Sequence, residues 1–270
     1  MLTLLPTPIG NIGDITYRTV QMIKSCNLIL CEDTRVTKQL LKLLNERLNA
    51  DIGNIDILSF HEHNGKERLS QIEGRLKEES VVYLSDAGMP CISDPGQLLV
   101  EYCQKEGIEY DVLPGASVAP LIYAASGFES GKFLFYGFLP KKGKERVDEL
   151  KKVLNNSLDT IIYEAPHRIV KLIEQICDID KNREIFCAKE ISKRYQKFYR
   201  VSAIDLQNIL KNSSVKGEWT LVIKGIKSSE STLNISDIQS IDIPPKAKAK
   251  LIAKLTGKSI KECYQDLLNI

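Results

Sequence analysis

The stretch Ser85-Asp86-Ala87-Gly88-Met89-Pro90-Cys91-Ile92-Ser93-Asp94-Pro95-Gly96 carries the densest chemistry in this chain. It lies between an apolar run, Val81–Leu84, and a helix-period segment over residues 94–105. That order predicts a polar loop at the carboxyl end of a buried strand, where open α/β sheets bind ligands. There Asp86 can accept hydrogen bonds, Gly88 lets backbone approach a ligand, and Asp94 can cap the next helix. A second loop, Pro6-Thr7-Pro8-Ile9-Gly10-Asn11-Ile12-Gly13-Asp14, follows the opening apolar run Leu2–Leu5. It has neither the spacing of a dinucleotide fingerprint nor the Lys-Ser/Thr ending of a phosphate loop.

Four charged segments could hold or move a proton. Glu32-Asp33-Thr34-Arg35 follows the apolar run Leu28–Cys31, so its charges emerge at a strand's carboxyl end. His61-Glu62-His63 places two histidines on one side if extended, suiting RNA contact or proton acceptance. Glu164-Ala165-Pro166-His167-Arg168 follows another apolar strand, with Pro166 in the first turn of a helix. Lys189-Glu190-Ile191-Ser192-Lys193 also follows a strand, and a desolvated lysine can act as a base. Caps and surface ion pairs are the structural alternatives. Asp33, His61, Glu190 and Lys193 remain open as candidates for the catalytic proton acceptor.

Composition narrows the class. The seven cysteines include no Cys-x-x-Cys pair, and with only three histidines no zinc spacing forms, so no metal is expected. The cysteines read as small buried residues of a reducing cytosol, hence a cytoplasmic protein. No run approaches the roughly 18 apolar residues of a membrane span, and residues 2–5 are too short for a signal peptide's core. The net charge of +2 is small, but its distribution is not even. Residues 141–152 hold six basic against three acidic side chains. Residues 189–200 hold five basic and one acidic, interleaved with Tyr195, Phe198 and Tyr199. Six lysines face two acidic residues over 246–270. Basic runs with stackable aromatics point towards RNA.

The elements that must position these residues alternate. Strands at residues 2–5, 28–31, 55–60, 81–84 and 110–113 are interleaved with helices at 16–25, 34–46, 66–79 and 94–105. This predicts α/β architecture with a largely parallel sheet. Further strands at 133–136, 160–163, 184–188, 197–201 and 219–223, crowded towards the end, predict a second, mixed sheet. The expected organisation is an N-terminal α/β domain over 1–115, a second α/β domain over 116–227, a Ser-rich linker over 228–245 and a helical appendage over 246–270. In that appendage Gly257-Lys258-Ser259 imitates a phosphate loop, but Ile252 stands where the loop's first glycine belongs.

In order along the chain, these loops together with Leu113-Pro114-Gly115-Ala116-Ser117 and Phe135-Tyr136-Gly137-Phe138-Leu139-Pro140 resemble the tetrapyrrole methylase-like, class III S-adenosylmethionine methyltransferases. The resemblance covers about residues 2–225, more weakly the tail, and implies their two-domain fold and S-adenosylmethionine as donor, bound in the interdomain cleft. It is nearest to the branch that methylates the ribose 2'-hydroxyl of a cytidine in the decoding region of small-subunit (16S) rRNA. Such transfer is an in-line displacement in which the enzyme aligns donor and acceptor. The implied donor contacts are Pro8, Gly10, Asn11, Asp86, Ala87, Gly88, Ile92, Ser93, Gly115, Ala116, Ser117, Leu139, Pro140, Gly217 and Leu221. Arg35, His63, Arg168, Lys248, Lys250 and Lys254 are the expected RNA contacts, with the small ribosomal subunit as partner. Relatives of this class pair as homodimers. Met89 and Cys91 depart from the Thr and Gly of the family's pattern. Two other readings stay open: a methylase of a tetrapyrrole precursor, and a non-catalytic RNA-binding assembly factor.

Overall fold

A computed structural model describes residues 1–61, 64–226 and 235–268. The expected RNA contact His63 therefore lies outside the described residues. The chain forms two compact units, Met1–Gly225 and Ile226–Ile270.

The first unit holds two five-stranded sheets. Strands β1 (Leu2–Leu5), β2 (Leu28–Cys31), β3 (Asp56–Ser59), β4 (Val81–Leu84) and β5 (Tyr110–Val112) pair in parallel, in the order β3-β2-β4-β1-β5. Every residue of β1, β2 and β4 is buried, as expected of parallel strands covered on both faces. Alternation sorts their side chains. Leu2, Leu4, Leu28, Leu30, Val81 and Tyr83 pack with Ile72 and Leu76 of α3 (Gly65–Glu78) and Leu99 and Cys103 of α4 (Gly96–Glu106). Leu5, Ile29, Cys31, Val82 and Leu84 pack on the other face with Ile23 of α1 (Tyr17–Ser25) and Leu44 of α2 (Thr34–Leu48). Helix α2 runs two residues beyond its expected end and stops where Asn49 turns left-handed at φ 50°.

After α5 (Val118–Ser126) the second sheet contains β6 (Phe133–Phe138), β7 (Asp159–Glu164), β8 (Glu184–Lys189), β9 (Lys197–Ser202) and β10 (Trp219–Ile223). Their order is β6-β7-β10-β8-β9, with only β6 and β7 parallel. Helices α6 (Gly143–Leu154), α7 (Ile169–Asp180) and α8 (Ala203–Lys211) contribute Leu150, Ile173 and Leu206 to its core beside Trp219 and Leu221. The expected boundary at residue 115 lies inside the first unit, between its two sheets.

The second unit contains α9 (Ile235–Ser240), α10 (Pro245–Thr256) and α11 (Ile260–Leu268). Helix α9 occupies part of the expected linker. Ile238 is buried with Ala249, Ile252 and Cys263, and this apolar contact gives a polar segment a reason to be helical. Among the described residues no helix is long and apolar enough to cross a membrane.

Candidate functional site

The carboxyl ends of four parallel strands deliver loops to one place: residues 6–11 after β1, 32–33 after β2, 85–95 after β4 and 113–117 after β5. Two of these loops are stitched together. Thr7 and Gly88 exchange backbone hydrogen bonds of 3.0 and 3.1 Å, and the Thr7 hydroxyl donates to the Ser85 carbonyl at 3.1 Å. Gly88 sits at φ +82°, and a Cβ there would stand 3.0 Å from Ile9 Cγ2. At Gly115 a Cβ would meet Pro6 Cγ at 2.2 Å, so only glycine allows this packing. Asp94 ties the far end: its carboxylate accepts from Cys91 N, Gly96 N and the Tyr83 hydroxyl, all at 2.9 Å.

Between these loops and the second sheet lies a cavity of about 360 Å³, within the size range of small-molecule sites. Its lining includes the carboxylates of Glu32, Asp86, Asp94 and Glu218, and no lysine or arginine. Glu218 is partly neutralised by Lys193 at 3.0 Å. Phe138, Tyr163 and Ile92 supply an apolar wall, with Phe138 and Ile92 each more than half exposed at the rim. An acidic cavity with an aromatic wall suits a cation that carries a flat ring.

A second cavity of about 490 Å³ opens along α2, lined by Arg35, Gln39 and Arg47 and by the loop that holds Pro8 and Gly10. Asp86 alone lines both cavities. Burial pushes its carboxyl above the ordinary value; the Asp33 N–H, donating at 3.2 Å, opposes this, while the Asp33 and Asp94 carboxylates reinforce it.

The second sheet's wall is braced from behind, a feature missed by sequence reasoning. Arg146 Nη2 reaches Glu164 Oε2 at 2.7 Å, with both side chains almost fully buried. The same guanidinium donates to the Pro140 carbonyl at 3.0 Å and to Gln175 Oε1 at 3.1 Å. Arg168, expected on RNA, places Nε 2.7 Å from Glu164 Oε1 as an ion pair. A buried carboxylate cannot stand without cations, which is why both arginines turn inward. The cue in the sequence was the pair of arginines flanking an apolar strand that ends in glutamate.

The acid–base candidates are mostly held in one state. Arg35 hydrogen-bonds Asp33 and lowers it to about 2, while Asp33 also caps α2 through Arg35 N. Burial raises the Glu190 carboxyl, but the Glu218 N–H and Lys193 outweigh it and bring it below the usual range. Burial likewise opposes charge on Lys193, yet Glu218 and Glu190 raise it overall and keep it protonated. That is the wrong state for a lysine base at neutral pH. His61 stands at the start of the α3 approach, where its backbone N–H donates to Asn64 Oδ1 at 2.8 Å.

Of the expected donor contacts, Asp86, Ala87, Gly88, Ile92, Ser93 and Ser117 line the acidic cavity, whereas Pro8 and Gly10 line the α2 groove. The side chain of Asn11 accepts from Gly13 N and caps a short 3-10 turn. Gly115 and Ala116 sit behind the wall, against Pro6 and Gly88. Leu139 and Leu221 are turned into the core of the second sheet, where an apolar side chain gains most, so they line neither cavity. Pro140 contributes its carbonyl to Arg146, and Gly217 packs at φ +106° against Glu190. In the second unit Lys248 donates to the Gln239 carbonyl at 2.5 Å and is half-buried. Lys250 and Lys254 are exposed. Among the described residues no group of three or more His, Cys, Asp or Glu side chains could hold a metal ion.

Residues 1–207 match the family of tetrapyrrole (corrin/porphyrin) methylases. The chain is 44% identical to ribosomal RNA small subunit methyltransferase I of Campylobacter fetus subsp. fetus (strain 82-40), over 99% of this chain and 100% of that relative. It is 40% identical to the protein of the same name from Thermotoga maritima, over 83% of this chain and 98% of that relative. Among solved structures, a diphthine synthase superposes with a TM-score of 0.61 at 13% identity, covering 83% of this chain and 89% of the other. A cobalt precorrin-4 methyltransferase gives 0.58 at 15% identity, covering 82% and 93%. At such identities these two share the fold alone.

Proposed function

The chain belongs to the tetrapyrrole (corrin/porphyrin) methylase family, and from that premise we propose that it is an S-adenosylmethionine-dependent methyltransferase acting on the ribose 2'-hydroxyl of a cytidine in the decoding region of small-subunit (16S) rRNA. The full-length relatives named for small-subunit rRNA methylation support the acceptor. One observation carries the donor: the cavity at the carboxyl ends of the parallel strands is lined by carboxylates and no cationic side chain. S-adenosylmethionine would supply a methyl group on a cationic sulfonium, whose sulfur leaves as a neutral thioether and needs no further activation.

The residues present fit such a group. Gly88 and Gly115 keep the backbone where any Cβ would collide, and Tyr163, Phe138 and Ile92 offer the adenine an apolar wall. Glu32 and Asp86 face the cationic part. The rigid loops hold the donor in line with an acceptor, which can supply roughly 7–11 kcal/mol of the barrier. Asp33, His61 and Glu190 remain the candidates near the acceptor's proton, whereas Lys193, held protonated by Glu218 and Glu190, would stand there as a cation rather than a base. The protein acts in the cytoplasm as a homodimer on the assembled subunit or a late precursor.

Two measurements test this. Calorimetric titration with S-adenosylmethionine should show binding without added metal. Mapping ribose methylation on small-subunit rRNA from cells lacking the gene should reveal one unmethylated cytidine. An unchanged rRNA methylation map would overturn the acceptor assignment.

A further inference from the structure

We infer that the groove along α2 is the docking site for the single-stranded nucleotides that flank the target ribose, with Arg35 and Arg47 holding phosphates and the apolar middle of the helix face carrying a base. This rests on the reading of the chain as an rRNA methyltransferase. The sequence places Arg35, Gln39, Leu43 and Arg47 at intervals of four, so they form one stripe on α2, and all four line the groove. Leu40 beside them completes an apolar centre between cationic ends. The two arginines are about 18 Å apart along the helix axis, room for more than one phosphate.

The two cavities differ in the charges that line them. The donor cavity has carboxylates and no cation, whereas the groove has Arg47, the Asp33-paired guanidinium of Arg35 and the carboxylate of Asp86. A cationic donor and a polyanionic acceptor are thereby sorted to separate compartments. They meet only at Asp86, so a strand lying in the groove can bring a hydroxyl to the donor across that side chain. The Arg47 side chain makes no hydrogen bond or ion pair with any described residue, and the Arg35 side chain is 88% exposed although its Nε and Nη2 bind Asp33. A second copy of this chain is a poor occupant. A two-fold contact centred on α2 would bring Arg35, Lys38, Lys42 and Arg47 of one copy against the same set on the other, with Glu46 as the helix's only acidic residue.

The test uses the full chain, small ribosomal subunits and tritiated S-adenosylmethionine across a salt series. Arg47→Ala should raise KM for subunits about tenfold, as expected for a lost charge-assisted contact. It should also flatten the salt dependence by about 0.7 in log–log slope, the value for one phosphate contact on a single strand. Arg47→Lys should keep that slope, and calorimetric donor affinity should match the unsubstituted protein. Unaltered KM and slope in folded Arg47→Ala overturn the inference, as does weakened donor binding, which would assign the groove to the donor. A fall to monomer mass in light scattering would show that another copy covers the groove, also overturning it. If the unsubstituted chain methylates no subunit under any condition, it is the proposed function that fails, so the two failures are separable.

Discussion

Asp86 is asked to do two things that oppose each other. Burial raises its carboxyl, yet an ionised carboxylate is what a cationic donor needs. A carboxyl with a raised folded value makes the folded state bind more protons than the unfolded one, so stability falls as pH rises through the interval between the two values. Above that interval the cost is complete. Asp86→Asn should therefore raise the unfolding midpoint at pH 7, with the gain vanishing below the ordinary carboxylate range, where the unsubstituted side chain is also neutral. The same variant should weaken donor binding by about 1–3 kcal/mol. Thermal unfolding over a pH series and calorimetry check both. A midpoint lowered at every pH would mean that Asp86 is structural. Cys91 shows a smaller tension of this kind. It holds φ +66°, a conformation that glycine adopts freely, and burial pushes its thiol up to about 12, so it is an inert side chain at a strained position.

The β6–α6 and β7–α7 connections meet through one buried ion network. Arg146 joins Glu164 to the Pro140 carbonyl, and the side chains of Phe138 and Tyr163 on the adjoining strands line the donor cavity. Removing one partner of a buried pair leaves the other uncompensated, at about 3–5 kcal/mol. Arg146→Ala should thus lower the unfolding midpoint by roughly 6–20 °C for a unit of this size. Arg146→Met combined with Glu164→Leu should recover most of that loss, because an apolar pair of similar volume avoids the desolvation penalty. Arg168, left without Glu164, is partly exposed and can turn to solvent. Calorimetric scans of the single and double variants decide. A double variant no more stable than the single one would show that the charges themselves are needed.

The Thermotoga relative is covered almost completely by 83% of this chain, so a protein of that name exists without a counterpart to much of the remainder. We propose that the second unit docks RNA electrostatically. Its exposed lysines at 250 and 254 lie one helical turn apart beside Leu251 and Leu255, whereas Lys248 is bound to the Gln239 carbonyl. Replacing Lys250 and Lys254 with alanine should weaken subunit binding and flatten its salt slope by about 1.5. Donor affinity should stay unchanged. Lys248→Ala should instead reduce helicity or stability without a change in slope. Filter binding across salt and circular dichroism distinguish them, and equal slopes for all variants would make the unit a structural cap.

Most of the fold was legible in the residues. Uninterrupted apolar runs at 2–5, 28–31 and 81–84 mark strands buried on both faces, and the Gly/Pro loops that follow them mark the ligand end of a parallel sheet. Periodicity reports which face of an element is apolar, so it located Leu221 on a strand but could not say that it, or Leu139 just beyond β6, points into the core. Nor could it tell Arg168 and Lys248, which close internal contacts, from Lys254, which meets solvent. A charge carries no local sign of its partner. Only tertiary structure brings Glu164 beneath two arginines, sets Asp86 between two cavities, and lines Arg35 and Arg47 along one groove. Those outcomes depend on contacts between residues far apart in sequence, whereas strand and helix periods depend on neighbours within a few positions.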